Sequence, residues 1–319
     1  MDNKQLFLHT PPGSKPFFKE DALVRNKITK SLTGFFEKND FFPIETPMID
    51  YFDSYRDFFA KDKTKNCIRF IDQSGEVILL RNDVTLFAAK MIASRTFDKD
   101  NVLKYYYADS IIRNAKSGNL HEHYQIGCEM VGSLSDTADN DILTILQESL
   151  KAVGVEQFSL HIGDISVYKN IFARFMPKAN SDELLAIIKD RDIDTLRMKL
   201  CAMQIDNDVI EDILDIAAFI GTRSDLEKLS LRKISNDIFD NIKAITAKIA
   251  AQNMVIDMSE LSDMDYYNGM IFHVYVPGLE IPIVSGGRYD LLFDKFGVSK
   301  QAVGFSYWLS PLKKAVSKE

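Results

Sequence analysis

Cysteine is scarce in this chain of 319 residues, and Cys67, Cys128 and Cys201 are odd in number and form no CxxC pair. That pattern fits reduced, isolated thiols of a cytosolic protein. No apolar run approaches the roughly 20 residues that cross a bilayer. Met1 to Glu20 holds Lys4, Lys15 and Lys19 but no continuous apolar stretch, so no signal peptide is expected and a cytoplasmic location is. An excess of positive charge is missing too. The 39 Lys and Arg against 46 Asp and Glu leave a net charge of −7, without the broad footprint of a nucleic-acid binder. Neither a P-loop nor a Gly-x-Gly-x-x-Gly occurs, and no cofactor is assigned.

What is present is enough apolar residue, 46%, for one large core or two ordinary ones. Leu23, Val24, Ile28, Leu32 and Phe35 recur at helical spacing, and Phe41 to Pro47 continues in an extended form that Pro43 and Pro47 enforce. Cys67–Ile71 and Val77–Leu80 read as paired strands around Asp72-Gln73-Ser74-Gly75, and Asp83 to Ile92 as a helix. Leu103–Ile112 and Glu122–Val131 form a long antiparallel hairpin with a polar, mobile tip at residues 114–119. A helix over Asp139–Val153 and a strand over Phe158–Ile162 follow. From Asp164 to Asn268 there is one glycine, Gly221, and one proline, Pro177. Apolar residues there fall at helical spacing, which predicts a helical insertion over residues 165–252. Strand signals return at Met254–Met258, Met270–Val276, Ile281–Val284 and Ala302–Trp308. The fold class is therefore α+β: one domain over residues 1–319 with a helical subdomain set inside it.

Three segments carry a family resemblance. Tyr107 to Arg113, running on through His123-Tyr-Gln125-Ile-Gly-Cys-Glu129, resembles motif 2 of class II aminoacyl-tRNA synthetases in its histidyl version. Leu261-Ser-Asp-Met-Asp265-Tyr266-Tyr267 is similar to the histidine-specific signature of that family. Gly286-Gly287-Arg288-Tyr289-Asp290 with Ala302 to Ser306 resembles the run into motif 3, the two glycines allowing close backbone approach to a ligand. The three occur in register over Ser14 to Leu312, and Leu80 to Thr85 matches the stretch that contacts the amino group of histidine. The resemblance implies the class II core, an antiparallel sheet flanked by helices. It also implies a histidine pocket in which Asp83 and Thr85 take the α-amino group, Arg113 the carboxylate, and Gln125, Glu129, Tyr266 and Tyr267 the remaining polar atoms. Matching charges and hydrogen bonds make that chemistry reasonable for a free amino acid.

The departures from the family pattern decide the expected function. Ser262 stands where the histidine-specific signature places arginine, and Pro311 where motif 3 places the arginine that holds ATP. Asn119 and His121 replace basic residues of a shortened motif 2 loop. Such arginines contribute about 10³–10⁵ in rate where they serve phosphoryl transfer, and serine or proline supplies none of it. No anticodon-binding domain of the synthetase kind is expected. This combination looks like the regulatory subunits of ATP phosphoribosyltransferase. The resemblance implies a non-catalytic chain that partners a short catalytic subunit in the first step of histidine biosynthesis. It further implies L-histidine as effector, a homodimer through Phe41–Asp50, and no tRNA or membrane partner. The rivals are a truncated adenylating enzyme with an acceptor other than tRNA, and a tRNA-binding module. Two further patterns carry little. His121-Glu122-His123 puts two imidazoles on one strand face but has no third ligand at metal spacing, so no metal is assigned. Asp139 with Asp141, and Glu211 with Asp212, read as solvated helix surface.

Overall fold

The structure, a computed structural model, describes residues 10–58, 67–95, 102–114, 119–135, 137–248, 254–262, 264 and 266–317. Helix α1 (Glu20–Lys38) buries Ile28, Leu32 and Phe36, one stripe at four-residue spacing. Strands β1 (Phe42–Pro43) and β2 (Ile49–Tyr51) are short, since proline offers no N–H to a ladder. After a 3-10 stretch at Phe52–Phe58 come β3 (Arg69–Ile71), β4 (Val77–Leu80) and α2 (Val84–Ala93). The long hairpin is β5 (Leu103–Asn114) with β6 (Leu120–Gly132). Most of its expected mobile tip, residues 115–118, lies outside the described residues. Helix α3 (Ala138–Ala152) and β7 (Ser159–Asp164) follow.

Residues 165–248 then hold α4 (Ile165–Phe175), α5 (Ser181–Lys189), α6 (Ile193–Ala202), α7 (Asn207–Ala217), α8 (Arg223–Glu227) and α9 (Asp240–Lys248). The glycine of this region sits in a two-residue strand, β8 (Ile220–Gly221). The last elements are β9 (Met254–Asp257), β10 (Met270–Tyr275), β11 (Val284–Arg288), α10 (Leu291–Asp294), β12 (Gln301–Trp308) and α11 (Leu309–Val316).

Among the described residues, nine strands form one sheet in the order β1-β5-β6-β12-β11-β10-β7-β9-β8, and β2-β4-β3 form a small second one. From β5 to β7 every pairing is antiparallel, whereas β1 with β5 and β7 with β9 are parallel, so the sheet is mixed around an antiparallel centre. Alternation along each strand splits the core in two. Tyr106, Ile126, Cys128, Phe305 and Tyr307 point into a cluster under α1 and α3. Tyr105, Tyr107 and Ile111 point the other way, against α2 and α10. That second face is covered only in part, and the open remainder is the candidate site.

Three expectations need correction. The strand expected at Ile281–Val284 runs Val284–Arg288 instead, because Pro282 has no N–H and the regular ladder begins only after Ile283, which donates to Val274 O (2.8 Å) and accepts the Trp308 N–H (2.9 Å). Gly286 and Gly287 thus lie inside a central strand. A Cβ on Gly286 would stand 2.5 Å from Gly304 O, and one on Gly287 2.9 Å from the Tyr267 ring, so these glycines make room for neighbouring chain rather than for a ligand. Lastly, Asp139 and Asp212 are buried, not solvated. Asp139 pairs with Arg288 Nη1 (2.7 Å), and Asp212 accepts the backbone N–H groups of Arg232, Lys233 and Ile234 at 2.7–2.8 Å. Asp141 and Glu211 do face outward, to Thr137 and Arg197.

Candidate ligand-binding site

A cavity of about 350 Å³ opens on the partly covered face, and Asp83, Thr85, Arg113, Gln125, Glu129, Tyr266 and Tyr267 all line it. Local rules place each of them. Asp83 is the extended residue before α2, where its Oδ1 accepts the Leu86 N–H (2.8 Å) and caps the helix. Thr85 follows within the first turn and donates to Glu129 Oε1 (2.8 Å). Arg113 shares strand parity with Tyr107 on β5, and Gln125 with Glu129 on β6. The buried Arg81 guanidinium ties the end of β4 to β5, donating to Ser110 O (2.9 Å) and Thr46 O (2.7 Å) and pairing with Asp109 (2.9 Å). This anchor holds the α2 cap against the hairpin.

Around Glu129 the donors are hydroxyls: Tyr289 to Oε2 (2.6 Å), with Thr85 and Tyr107 (3.4 Å) to Oε1. Gly304 lies opposite Glu129 in the β6–β12 register, and a Cβ there would collide with the carboxylate. Burial pushes the Glu129 carboxyl up to about 8, with the Asp83 charge adding to it and the Tyr289 and Thr85 hydroxyls opposing. Burial also raises Asp83, against the nearby Arg113. Arg113 Nη2 stands 3.5 Å from Asp83 Oδ2, its Nε donates to Asn82 O (2.7 Å), and its guanidinium lies 5.4 Å from the Trp308 ring centre. Tyr266 donates to Asp83 Oδ2 (3.2 Å) and packs on Tyr267 with ring centres 4.9 Å apart. Gln125 Nε2 reaches Ser306 Oγ (3.4 Å).

Two acids against one arginine, ringed by tyrosines, suit a small ligand that brings a cation for Asp83 and Glu129 and an anion for Arg113. Ser262 lines the same cavity and accepts the Met264 N–H (3.1 Å), so no cation enters at that position. Residues 263 and 265 of the same motif lie outside the described residues. His121 and Pro311 line a neighbouring cleft instead. Its Lys15 and Lys313 pair with Asp21, and its Arg25 lies over the Phe17 and Tyr124 rings. His121 and His123 have ring centres 6.0 Å apart, and His123 packs edge-on against Trp308.

The sequence reading missed Tyr107, Tyr289, Ser306 and Trp308 as lining residues. Parity with Arg113, Gln125 and Glu129 along paired strands could have found Tyr107, Ser306 and Trp308. It also missed Glu260, His273 and Tyr275 at the β10 side of the cavity, which no local pattern marks.

The family model for histidyl-tRNA synthetase matches residues 15–312. An ATP phosphoribosyltransferase regulatory subunit from Ruminiclostridium cellulolyticum is 26% identical over 98% of this chain and 77% of its own length. A histidine–tRNA ligase from Methanococcus maripaludis is also 26% identical, over 95% of this chain and 74% of its own. A Bacillus halodurans structure described as an ATP phosphoribosyltransferase regulatory subunit/histidyl-tRNA synthetase superposes with a TM-score of 0.83 at 22% identity, covering 97% of this chain and 83% of that one. A chain from a Thermotoga maritima ATP phosphoribosyl transferase complex gives 0.66 at 22% identity, covering 91% and 98%.

Proposed function

The chain belongs to the histidyl-tRNA synthetase family, and from that premise we propose that it is a regulatory subunit of ATP phosphoribosyltransferase rather than a synthetase. One observation carries the choice. The seven polar residues suited to an amino acid converge on one cavity, while Ser262 and Pro311 stand where the family resemblance expects arginines that handle ATP. A cavity that binds histidine without activating it is a sensor. Coupled to the active site of a short catalytic subunit, it need supply only about 1–3 kcal/mol of differential binding to regulate it.

In this reading the α-ammonium of L-histidine sits between Asp83 and Glu129, in place of the Asp83 and Thr85 that the motif match implies, because the Thr85 hydroxyl already donates to Glu129 Oε1 (2.8 Å). The carboxylate meets Arg113, with Gln125 and the tyrosines on the imidazole. The names of the relatives from Ruminiclostridium cellulolyticum and Thermotoga maritima support the choice of partner. A homodimer through the Phe41–Asp50 region fits the exposed apolar residues there, Phe42 on the edge strand of the large sheet and Ile49 and Tyr51 with Phe70 on one face of the small sheet. No helix among the described residues is long and apolar enough to cross a membrane.

The test mixes the purified chain with a short-form catalytic subunit and measures phosphoribosyl transfer with and without L-histidine. Activity that needs the chain and falls with histidine supports the reading. A catalytic subunit equally active alone, with no complex in sedimentation, overturns it. ATP–pyrophosphate exchange by the pure chain within about tenfold of a synthetase, roughly 1.4 kcal/mol of barrier, would favour the adenylating rival.

A further inference from the structure

On β7, β9 and β10, strands well along the sheet from Glu129, four metal-ligating side chains converge without any part in the binding just described. His161 on β7 and His273 on β10 are directly paired residues in the antiparallel register, so their side chains share one face. Asp257 ends β9 and Glu260 follows three residues later. We propose that His161, His273, Asp257 and Glu260 form a site for a divalent transition-metal ion of the zinc class, reached from the β10 side of the cavity.

Geometry is the first support. His161 Nδ1 lies 3.7 Å from Asp257 Oδ2 and 3.8 Å from Glu260 Oε2, and the ligand atoms of these three residues all lie within 4.8 Å of one another. Around an ion with bonds of about 2.0–2.1 Å, neighbouring tetrahedral ligand atoms stand roughly 3.3–3.5 Å apart, so a few tenths of an ångström bring in His161 and the two carboxylates close by up to about 1.5 Å. His273 Nδ1, 2.7 Å from Glu260 Oε1, would complete the set as a fourth ligand by drawing back from that oxygen to the same spacing.

A second support is independent of spacing. The Nδ1 atoms of both histidines are buried and face these carboxylates without a well-aligned hydrogen bond among the described residues. Buried polar atoms are nearly always paired, and two imidazole nitrogens that face carboxylates without an aligned hydrogen bond are placed to share an ion with them. The carboxylates are oriented from outside, as metal ligands are. Ser259 donates its N–H (3.0 Å) and hydroxyl (2.7 Å) to Asp257 Oδ1, and Tyr275 donates to Glu260 Oε1 (3.1 Å).

Ligand chemistry selects the metal class. Two imidazoles with two carboxylates suit zinc and its neighbours, whereas magnesium and calcium want six or more oxygens. One cation competes. Arg191 Nη2 sits 2.6 Å from Asp257 Oδ2, on a half-exposed side chain that can swing out to solvent. Metal and guanidinium would alternate on that oxygen.

The experiment does not depend on the histidine-sensor reading, because its probes are zinc and cobalt alone. The chelator-stripped full chain is titrated with Zn(II) by calorimetry and with Co(II) by visible absorption. One zinc per chain at micromolar or tighter affinity is expected, with a tetrahedral cobalt band. His161→Gln with His273→Gln keeps side-chain volume and should weaken zinc by at least about a hundredfold and abolish the band. Arg191→Gln removes the competitor and should tighten zinc several-fold. Equal affinity in the wild type and the double histidine variant, or no stoichiometric binding at 10 µM zinc (about −7 kcal/mol), overturns the proposal.

Discussion

Three hydroxyls surround the Glu129 carboxyl, and Glu129→Gln turns that arrangement into a measurement. Burial first, then the Asp83 charge, carry this group from the ordinary 4.5 up to about 8 in the folded chain. The folded state therefore holds a proton that the unfolded state releases between those values. A raised pKa contributes stability that is full below the unfolded value and is lost as pH climbs through the folded one. At 1.36 kcal/mol per pH unit, the 3.5 units between 4.5 and about 8 amount to about 5 kcal/mol, a large part of the 5–15 kcal/mol of an ordinary domain. Glu129 is only 2% exposed, so solvent screening discounts this little. Glutamine keeps the shape and cannot ionise. In urea unfolding, the stability of Glu129→Gln relative to wild type should rise by about 4 kcal/mol between pH 5 and pH 9. A bound ammonium should drive the proton off, so wild-type affinity for L-histidine should rise up to tenfold per pH unit below about pH 8, with proton release in calorimetry. Parallel wild-type and variant stability curves across that range would refute the argument.

Other expectations are more local. Gly304→Ala drives a methyl group into the Glu129 carboxylate, so calorimetry should find histidine binding lost, along with about 1–3 kcal/mol of stability from the overpacking. Asp212→Ala leaves the N–H groups of Arg232, Lys233 and Ile234 unanswered and should cost about 2–4 kcal/mol in chemical denaturation, while histidine binding is kept. Arg113→Ala removes the only arginine on the cavity's described lining, and a loss of about 2–5 kcal/mol should put histidine binding below detection. Tyr51→Lys with Phe70→Lys, which share one face through Ile78 in the β2-β4-β3 register, places charge on that exposed face and should shift the chain toward monomer in sedimentation equilibrium.

Much of the architecture is a matter of short-range pattern. Residues such as Ile28, Leu32 and Phe36 recur at the helical period, and a periodic stripe declares its helix wherever the chain is met. The Leu103–Gly132 hairpin and the Asp83 cap are equally local, since each depends on residues close in the chain. Strand parity already sets Gln125 and Glu129 on one face. What the sequence could not decide is what each face meets. Asp139 reads as surface until Arg288, far along the chain, is folded onto it. Asp212 likewise becomes a buried cap only when the segment at Arg232 wraps over α7. The start of β11 depended on where Pro282 falls against β10, and the use of Gly304 on the register that sets it opposite Glu129. His161 and His273 are separated by 112 positions, and only the β7–β10 pairing puts them side by side. Periodicity is carried by neighbours along the chain, but register and burial are set by contacts between distant strands, where a slip of one residue turns every side chain to the other face.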